Sequence, residues 1–372
     1  MIYLDNAATS RVAQNVIDVI TNDLANNWSN PSSIYEFDNS KKILSNARET
    51  IASCLNCDPE EIYFTSGSSE GNAWAVQQKS KTMCSAYEHH NIINNPKSVI
   101  VDEDYLDRTA IVIGNNAVDI VNNYENFLVS WMMVNNETGE MFNTKYIANL
   151  AHFIGASYHC DITQAVGNMP IDLHGKHSYI DIATASAHKF HGPKGIGFIY
   201  FNKNTFPQDK IKPLIYGGIQ ENNKRAGTEN IPYIDGMAVA LKDAINNVME
   251  KHKHCTHLKA RYYEELMKGF APENMMIVSP AKSIASTATV CFKDIEGEIM
   301  TAILAEHEIY CSSGSACNTG DLEPSSVLTG MKIPDEYLRG EVRISMDLSN
   351  TEEEVVQTAK LLKSIYMELT QH

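Results

Sequence analysis

The sequence predicts an α/β protein: a large domain built on a mostly parallel sheet, followed by a smaller α+β domain. Three observations carry this. Short strand-like runs alternate with helix-period segments through about residue 200, the pattern of βαβ units. A glycine-rich loop, Gly217 to Gly227, then leads into a long helical stretch over about 232–268, beyond which strands and helices mix again. Finally, 372 residues suffice for about two or three domains. The boundaries expected are 12–245 for the large domain, with 1–11 and 246–372 forming the small one.

Taken in order, Val12, Val16, Val19, Ile20 and Leu24 recur at helical spacing, as do Leu44, Ala47, Ile51 and Leu55. Strands are read at Ile62–Thr65, Ser98–Val101, Phe127–Val134, Ser157–Cys160 and Tyr179–Thr184. A helix fits Ile147, Leu150, Ala151 and Ile154, with Thr144 as its cap. Met237, Ala240, Leu241, Ala244 and Val248 form the apolar side of the long stretch. Later strands are read at Met276–Val278, Thr289–Phe292 and Val342–Ser345. A last helix opens on the capping signal Asn350-Thr-Glu-Glu and carries Val355, Val356, Ala359 and Leu362.

Composition narrows the chemistry. Thirty Lys+Arg against 46 Asp+Glu leave a formal charge of −16, which argues against a phosphate-binding face for nucleic acid. The first residues have no basic segment ahead of an apolar run, so no signal peptide is read, and no apolar run reaches the roughly 18 residues of a membrane span. Eight cysteines without a secretory signal point to free thiols and a cytoplasmic, reducing location.

Four stretches carry chemistry. In Ser186-Ala-His188-Lys189-Phe-His-Gly192-Pro-Lys-Gly195, a lysine follows a strand and precedes a tight glycine turn, a setting that presents an amine into a cleft. Lysine loses its proton readily when desolvated, which suits Schiff-base chemistry. Asp161-Ile-Thr-Gln164 closes another strand, where a carboxylate can hold a protonated ring nitrogen. Thr65-Ser66-Gly67-Ser68-Ser69-Glu70-Gly71 runs from a strand into a helix, leaving small residues and open amides toward an anion. Ser312-Ser313-Gly314-Ser315-Ala316-Cys317 predicts an exposed, mobile thiol, whereas Cys311 beside Ile309-Tyr310 reads as core. Neither a G-x-G-x-x-G fingerprint nor a Walker P-loop occurs.

Together these stretches resemble the cysteine desulfurases, the NifS/IscS-like branch of the class V pyridoxal-phosphate enzymes, over essentially the whole chain. Tyr3-Leu-Asp-Asn-Ala-Ala-Thr, Asn30-Pro-Ser-Ser, Phe64-Thr-Ser-Gly-Ser-Ser-Glu, Glu88-His89-His90, Val134-Asn-Asn-Glu-Thr-Gly, the Asp161/Gln164 pair and the His188-Lys189 pair follow in the family's order. Ser312-Ser-Gly-Ser-Ala-Cys317 resembles the branch with a long catalytic loop.

The resemblance implies the fold-type I architecture, with a mixed, mostly parallel sheet, and a homodimer. It implies that Lys189 carries pyridoxal 5'-phosphate, Asp161 holds the pyridine nitrogen and His89 stacks on the ring and moves protons. Gln164 and Asn136 would contact the ring hydroxyl and the substrate. Ser68, Ser69, Ser186 and His188 would hold the phosphate, joined by Thr228 of the partner subunit. Arg343 would grip the carboxylate of L-cysteine. Cys317 would receive the sulfur as a persulfide and pass it to an acceptor: an iron–sulfur scaffold, a tRNA-thiolation protein or a DNA-sulfur-modification protein. The competing readings are another class V enzyme (an aminotransferase or selenocysteine lyase) and a degenerate sulfur-relay or scaffold protein.

Departures and decoys accompany the match. Ile219 and Asn222-Asn223 stand where the family pattern has a third glycine and an Arg-Gly pair, and Tyr35 stands where it has histidine. Ser10-Arg11 replaces Thr-Pro, and the segment 97–126 is compressed at one expected sheet edge. No metal site is expected: His252, His254, Cys255 and His257 read as a solvated helix face. Cys54 and Cys57 read as structural and Trp131-Met132-Met133 as strand core.

Overall fold

The first strand, β1 (Ile2–Tyr3), pairs far along the chain, running parallel to β11 (Ile309–Tyr310) with Ile2 opposite Ile309. The structure is a computed structural model describing residues 1–35, 37–104, 106–107, 124–314 and 324–370. It divides into two compact units, one of Met1–Ser10, Val134–Met141 and Asn247–His372, the other of Arg11–Met133 and Phe142–Asn246.

The larger unit is built on seven strands: β2 (Ile62–Thr65), β3 (Lys81–Cys84), β4 (Ser98–Ile100), β5 (Phe127–Ser130), β6 (Ser157–Asp161), β7 (Ile182–Ser186) and β8 (Gly197–Phe201). Their order is β2-β8-β7-β6-β5-β3-β4. The run from β4 to β7 is parallel, while β8 is antiparallel to both β7 and β2. Every residue of β7 and β8 is buried, which explains their unbroken apolar and small-residue runs.

Helices α1 (Gln14–Asn26), α2 (Ser40–Leu55), α3 (Ser68–Gln77), α4 (Thr144–Phe153) and α5 (Ile231–Asn246) belong to this unit. Both α1 and α2 pack on α5. Gly236 permits the first approach, because a Cβ there would lie 2.8 Å from Ile20 Cδ1. Tyr63, Trp74 and Phe201 meet edge-on with ring centroids 5.4–5.8 Å apart, and the Trp74 indole donates to the Lys212 carbonyl at 2.8 Å. Truncating so large a buried ring to alanine costs about 3–5 kcal/mol.

The smaller unit holds an antiparallel sheet of β9 (Met275–Ile277), β10 (Thr287–Phe292) and β12 (Glu341–Ser345), with β10 in the middle. Helices α6 (Val248–Gly269), α7 (Gly297–Glu306) and α8 (Glu352–Thr370) supply Leu258, Tyr262, Leu266, Leu304, Val355, Ala359 and Leu362 to its core. A reciprocal cap starts α8: Glu354 N–H donates to Thr351 Oγ1, and Thr351 N–H to Glu354 Oε2.

Several expectations need correction. The strand at 127 stops at Ser130; Trp131 and Met133 only donate single amides to His159 and Asp161 carbonyls. The strand read from Tyr179 begins at Ile182, since Ile180 N–H closes a turn onto His177 O. The long helix is two, because Asn247 (φ −96°, ψ 0°) leaves helical geometry between α5 and α6. Asn143, not Thr144, caps α4, accepting from Tyr146 N–H. Leu24 is 63% exposed and does not join the core side of α1. Of the compressed segment, β4 forms the sheet edge, and 105 and 108–123 lie outside the described residues.

Candidate active site

In the larger unit the candidate residues gather where parallel strands end. Asp161 and Ser186 are the last residues of the adjacent strands β6 and β7, with Asp161 opposite Thr184. Beyond Ser186, one 3-10 turn, Ala187–Lys189, carries His188 and Lys189. Ala187 O closes this turn by accepting from Phe190 and Gly192 amides, both at 3.0 Å, and a Cβ on Gly192 would sit 2.8 Å from Ala187 Cβ. The glycine noted in the sequence therefore fixes where the lysine leaves the strand.

The N-terminus of α3 lies against this corner. Ser68 N–H donates to Ser186 Oγ at 2.6 Å, and Ser186 Oγ–H donates to Ser68 Oγ at 2.9 Å. The N-cap, Gly67 (φ +151°), has no side chain to close the first turn. A Cβ on Gly197 would lie 2.4 Å from Ala185 O and 2.7 Å from Gly67 Cα, so two glycines let this turn rest on β8. Ser69 is exposed and Ser68 half-buried beside the buried Ser186.

Both Asp161 oxygens accept hydrogen bonds, Oδ1 from Thr163 N–H at 2.9 Å and Oδ2 from Asn72 Nδ2 at 2.7 Å. Gln164, three residues on, is buried, and its carbonyl accepts from Asn168 Nδ2. His89 caps a short helical turn, His90–Ile93, and its Nδ1 accepts from Asn91 N–H at 3.3 Å. The neutral ring consequently carries its proton on Nε2. Solvent reaches His89, yet crowding by protein atoms lowers its pKa; Asp161 opposes this, while His90 and Lys189 reinforce it. Burial also drives His188 down to about 4, helped by Lys189 and Lys194.

The loop of the family departures is anchored by charge. Glu221 takes both Arg48 guanidinium nitrogens and the Phe64 amide, and Arg48 lies 4.4 Å over the Phe64 ring. Glu221, Asn222 and Asn223 all have left-handed backbone (φ 47°, 55° and 62°), which asparagine tolerates better than most residues, so Asn222-Asn223 suits the turn. Ile219, with φ −82°, needs no glycine. Arg225 pairs with Glu70 of α3 at 2.9 Å, and Thr228 follows, exposed.

Asn136 and Arg343 lie in the smaller unit. Arg343, buried on β12, donates Nη1 to Asn136 O at 2.8 Å and Nη2 to Asp5 Oδ1 at 3.0 Å, while its buried Nε has no partner among the described residues. Ser312 also donates to Asp5 Oδ1. Cys317 lies outside the described residues. Cys311 packs against the core and burial pushes its thiol up to about 12.

Two residues escaped sequence reasoning. Asp5 sat inside a quoted motif, but nothing local marked it as the partner of an arginine 338 positions away. Asn72 follows Ser68 at i+4, a helical spacing that could have placed it on the same side of α3.

The profile of the family described as "Aminotransferase class-V" matches residues 2–357. The chain belongs to the class-V aminotransferase family. Within it, the chain is 35% identical to "Cysteine desulfurase IscS" of Methanosarcina thermophila, covering 99% of this chain and 92% of that one. Among solved structures it resembles the NifS-like protein from Rickettsia africae, with TM-score 0.85, 28% identity and 99% of each chain covered. It also resembles "SspA in complex with cysteine", with TM-score 0.75, 25% identity, and 94% and 100% covered. This class-V chain thus has its relatives in the IscS/NifS branch.

The other clusters are structural in their contacts. His254 Nε2 meets Asn350 O, His257 pairs with Glu352, and Cys255 is buried in the core. Burial raises the Cys54 and Cys57 thiols, and the seven described cysteines are free. Trp131, Met132 and Met133 are buried. Asp58, Glu61 and His174 converge, but Lys203 is already ion-paired with Asp58 and Glu60 there. Among the described residues no helix is long and apolar enough to cross a membrane.

Proposed function

We propose that this chain is a pyridoxal-phosphate-dependent cysteine desulfurase, converting L-cysteine to L-alanine and holding the released sulfur as a persulfide on Cys317. The observation that carries the reading is the corner formed by Asp161, Ser186 and Lys189 at neighbouring strand ends, beside the first turn of α3, whose N-cap Gly67 has no side chain. Its relatives named for desulfurase activity, and a structural relative seen with cysteine, support the substrate. They do not favour an aminotransferase, a selenocysteine lyase or a degenerate relay protein.

The residues fit the cofactor. A Cβ on Gly67 would intrude to 3.2 Å from Ser186 Oγ, so glycine keeps open a cradle of amides and hydroxyls suited to phosphate. Ser68, Ser69, Ser186 and His188 would hold that phosphate, joined by Thr228 of the partner subunit in a homodimer. Asp161 would accept from the ring nitrogen, His89 would stack on the ring, Gln164 and Asn136 would meet the ring hydroxyl and substrate, and Lys189 would carry the cofactor. When bound, pyridoxal phosphate supplies an electron sink for charge developing at the substrate α-carbon.

The chain's own groups then divide the work. Arg343, with its buried Nε unpartnered, receives the substrate carboxylate. Lys189 Nζ takes the α-proton, and His89 Nε2 exchanges a proton with the substrate thiol. Cys317, as thiolate, attacks the substrate sulfur: a sulfur–sulfur bond forms, the carbon–sulfur bond breaks, and a proton reaches the β-carbon; Lys189 returns the α-proton, and alanine leaves. The persulfide passes to an acceptor protein of the iron–sulfur, tRNA-thiolation or DNA-sulfur-modification type. Regenerating a free thiol each cycle suits a reducing, cytoplasmic setting. The test is direct: purified protein should be yellow and, given L-cysteine and a reductant, release sulfide and alanine in equal amounts. A colourless protein that takes up no pyridoxal phosphate overturns the reading.

A further inference from the structure

Beneath Asp161 runs a file of fully buried polar side chains. Asn72 Nδ2 lies 2.7 Å from Asp161 Oδ2, and Asn72 Oδ1 meets Thr184 Oγ1. Thr184 Oγ1 is 3.1 Å from His159 Nε2, and His159 Nδ1 is 2.8 Å from Ser130 Oγ. Ser130 Oγ is 3.4 Å from Glu88 Oε2, and Glu88 Oε1 accepts the Met132 amide. Asn72, Thr184, His159 and Ser130 have no exposed surface, and Glu88 has 3%.

The donors in this file follow from the chemistry of its end. A carboxylate only accepts, so Asn72 must turn its NH2 toward Asp161 and its carbonyl oxygen toward Thr184. That oxygen cannot donate, so the Thr184 hydroxyl does, which obliges Thr184 to accept from His159 Nε2–H. Burial lowers the His159 pKa to about 4, leaving a neutral ring with bare Nδ1, and Ser130 must donate to it. With its only hydrogen spent, Ser130 can meet Glu88 Oε2 favourably only if that oxygen bears a proton. Burial, with Asp161 repulsion second, raises the Glu88 pKa to about 8, in agreement.

We propose that Glu88, Ser130, His159, Thr184 and Asn72 form one directional hydrogen-bond chain, donated from a protonated Glu88 toward Asp161, that positions the Asp161 carboxylate for the cofactor ring. The inference rests on the function proposed above for Asp161. The chain leaves Asn72 one permitted amide orientation. A flipped amide would set oxygen against the carboxylate and strand two buried groups without partners. His159 and Glu88 are thus positioning residues: their hydrogen bonds go to Thr184, Ser130 and Met132 and reach Asp161 only through the chain, and each fixes the donor sense of its neighbour.

The test reads the imidazole itself. With 15N-histidine label, long-range proton–nitrogen spectra of the cofactor-free and cofactor-loaded protein between pH 5.5 and 7.5 should show His159, assigned by its loss in His159→Gln, as the neutral Nε2–H form. Glu88→Gln, which still donates to Ser130 and accepts from Met132, should keep that form and bind pyridoxal phosphate within about twofold of the parent, read by fluorescence quenching. Glu88→Leu, and Ser130→Ala as the gentler truncation, should each weaken pyridoxal-phosphate binding about tenfold and shift the Nδ1 resonance. An Nδ1–H or doubly protonated His159 at pH 6.5, or Glu88→Gln as damaging as Glu88→Leu, overturns the proposal. If no variant takes up pyridoxal phosphate, the functional reading fails while the His159 spectrum still decides the chain.

Discussion

Ser186 Oγ sits 2.6 Å from the backbone nitrogen of Ser68, joining the end of β7 to the first turn of α3. One hydroxyl therefore fills the place an anion oxygen would take, and on binding it would turn from capping the helix to donating to phosphate. Ser186→Ala should weaken pyridoxal-phosphate binding about tenfold, for the loss of one hydrogen bond to a charged group, read by equilibrium titration. Unchanged affinity would place the phosphate elsewhere.

Lys189 and Cys317 should separate cleanly. Lys189→Ala is expected to lose the visible absorbance of lysine-bound cofactor and all turnover. Cys317→Ala is expected to keep that absorbance and lose sulfide release by at least about 100-fold. Full sulfide release from Cys317→Ala would remove the persulfide assignment.

Among the described residues, the Arg343 side chain makes two hydrogen bonds inside the smaller unit and leaves Nε without a partner. Arg343→Lys keeps the charge but loses the fork, so KM for L-cysteine should rise about tenfold or more with a smaller change in kcat. An equal fall in kcat with KM unchanged would assign Arg343 to the chemical step.

Gly197 admits no side chain, because a Cβ would meet Ala185 O at 2.4 Å and Gly67 Cα at 2.7 Å. Gly197→Ala should destabilise the fold by about 1–3 kcal/mol and loosen cofactor binding together, since it pushes the α3 turn from β8. Chemical denaturation and cofactor titration on the same preparation check both.

Stability should carry a Glu88 signature. Its pKa rises from an ordinary 4.5 to about 8 on folding, so between these values the folded chain holds a proton the unfolded chain has released. The stabilisation is complete below pH 4.5 and is lost as pH climbs toward 8. His159 works oppositely, its pKa falling from 6.5 to about 4, so its contribution is lost as pH drops through that window. Glu88→Gln should therefore match the parent in thermal unfolding at pH 5 and exceed its Tm at pH 8. An equal Tm difference at both values would mean Glu88 is not the group that titrates.

Much of the site was legible because its parts are local. Lys189 announces itself through the strand and glycine turn on either side, and Ser68-Ser69 through the strand-to-helix step. β7, buried along its whole length, wrote itself as a short run of apolar and small residues, and β6 is buried beyond its first residue. What stayed hidden is what only tertiary contact creates. Gly197–Phe201 has the composition of a strand but no mark of its antiparallel direction. Asn72 meets Asp161 across 89 positions, and Glu88 read as one letter of a motif until Met132 and Ser130 closed over it. The break at Asn247 was missed because an apolar stripe continues in phase through Val248 while the backbone does not.

The pairing of Ile2 with Ile309 also sets a timetable. At about 5–20 residues per second, the ribosome makes the partner of the first strand roughly 15–60 s after the strand itself. Over that interval the sheet from β2 to β8 emerges complete, while Asp5 waits for an arginine not yet translated. The half that would seat the cofactor is thus synthesised before the half that would select the amino acid, and a nascent chain arrested near residue 246 is the natural object in which to look for early cofactor capture.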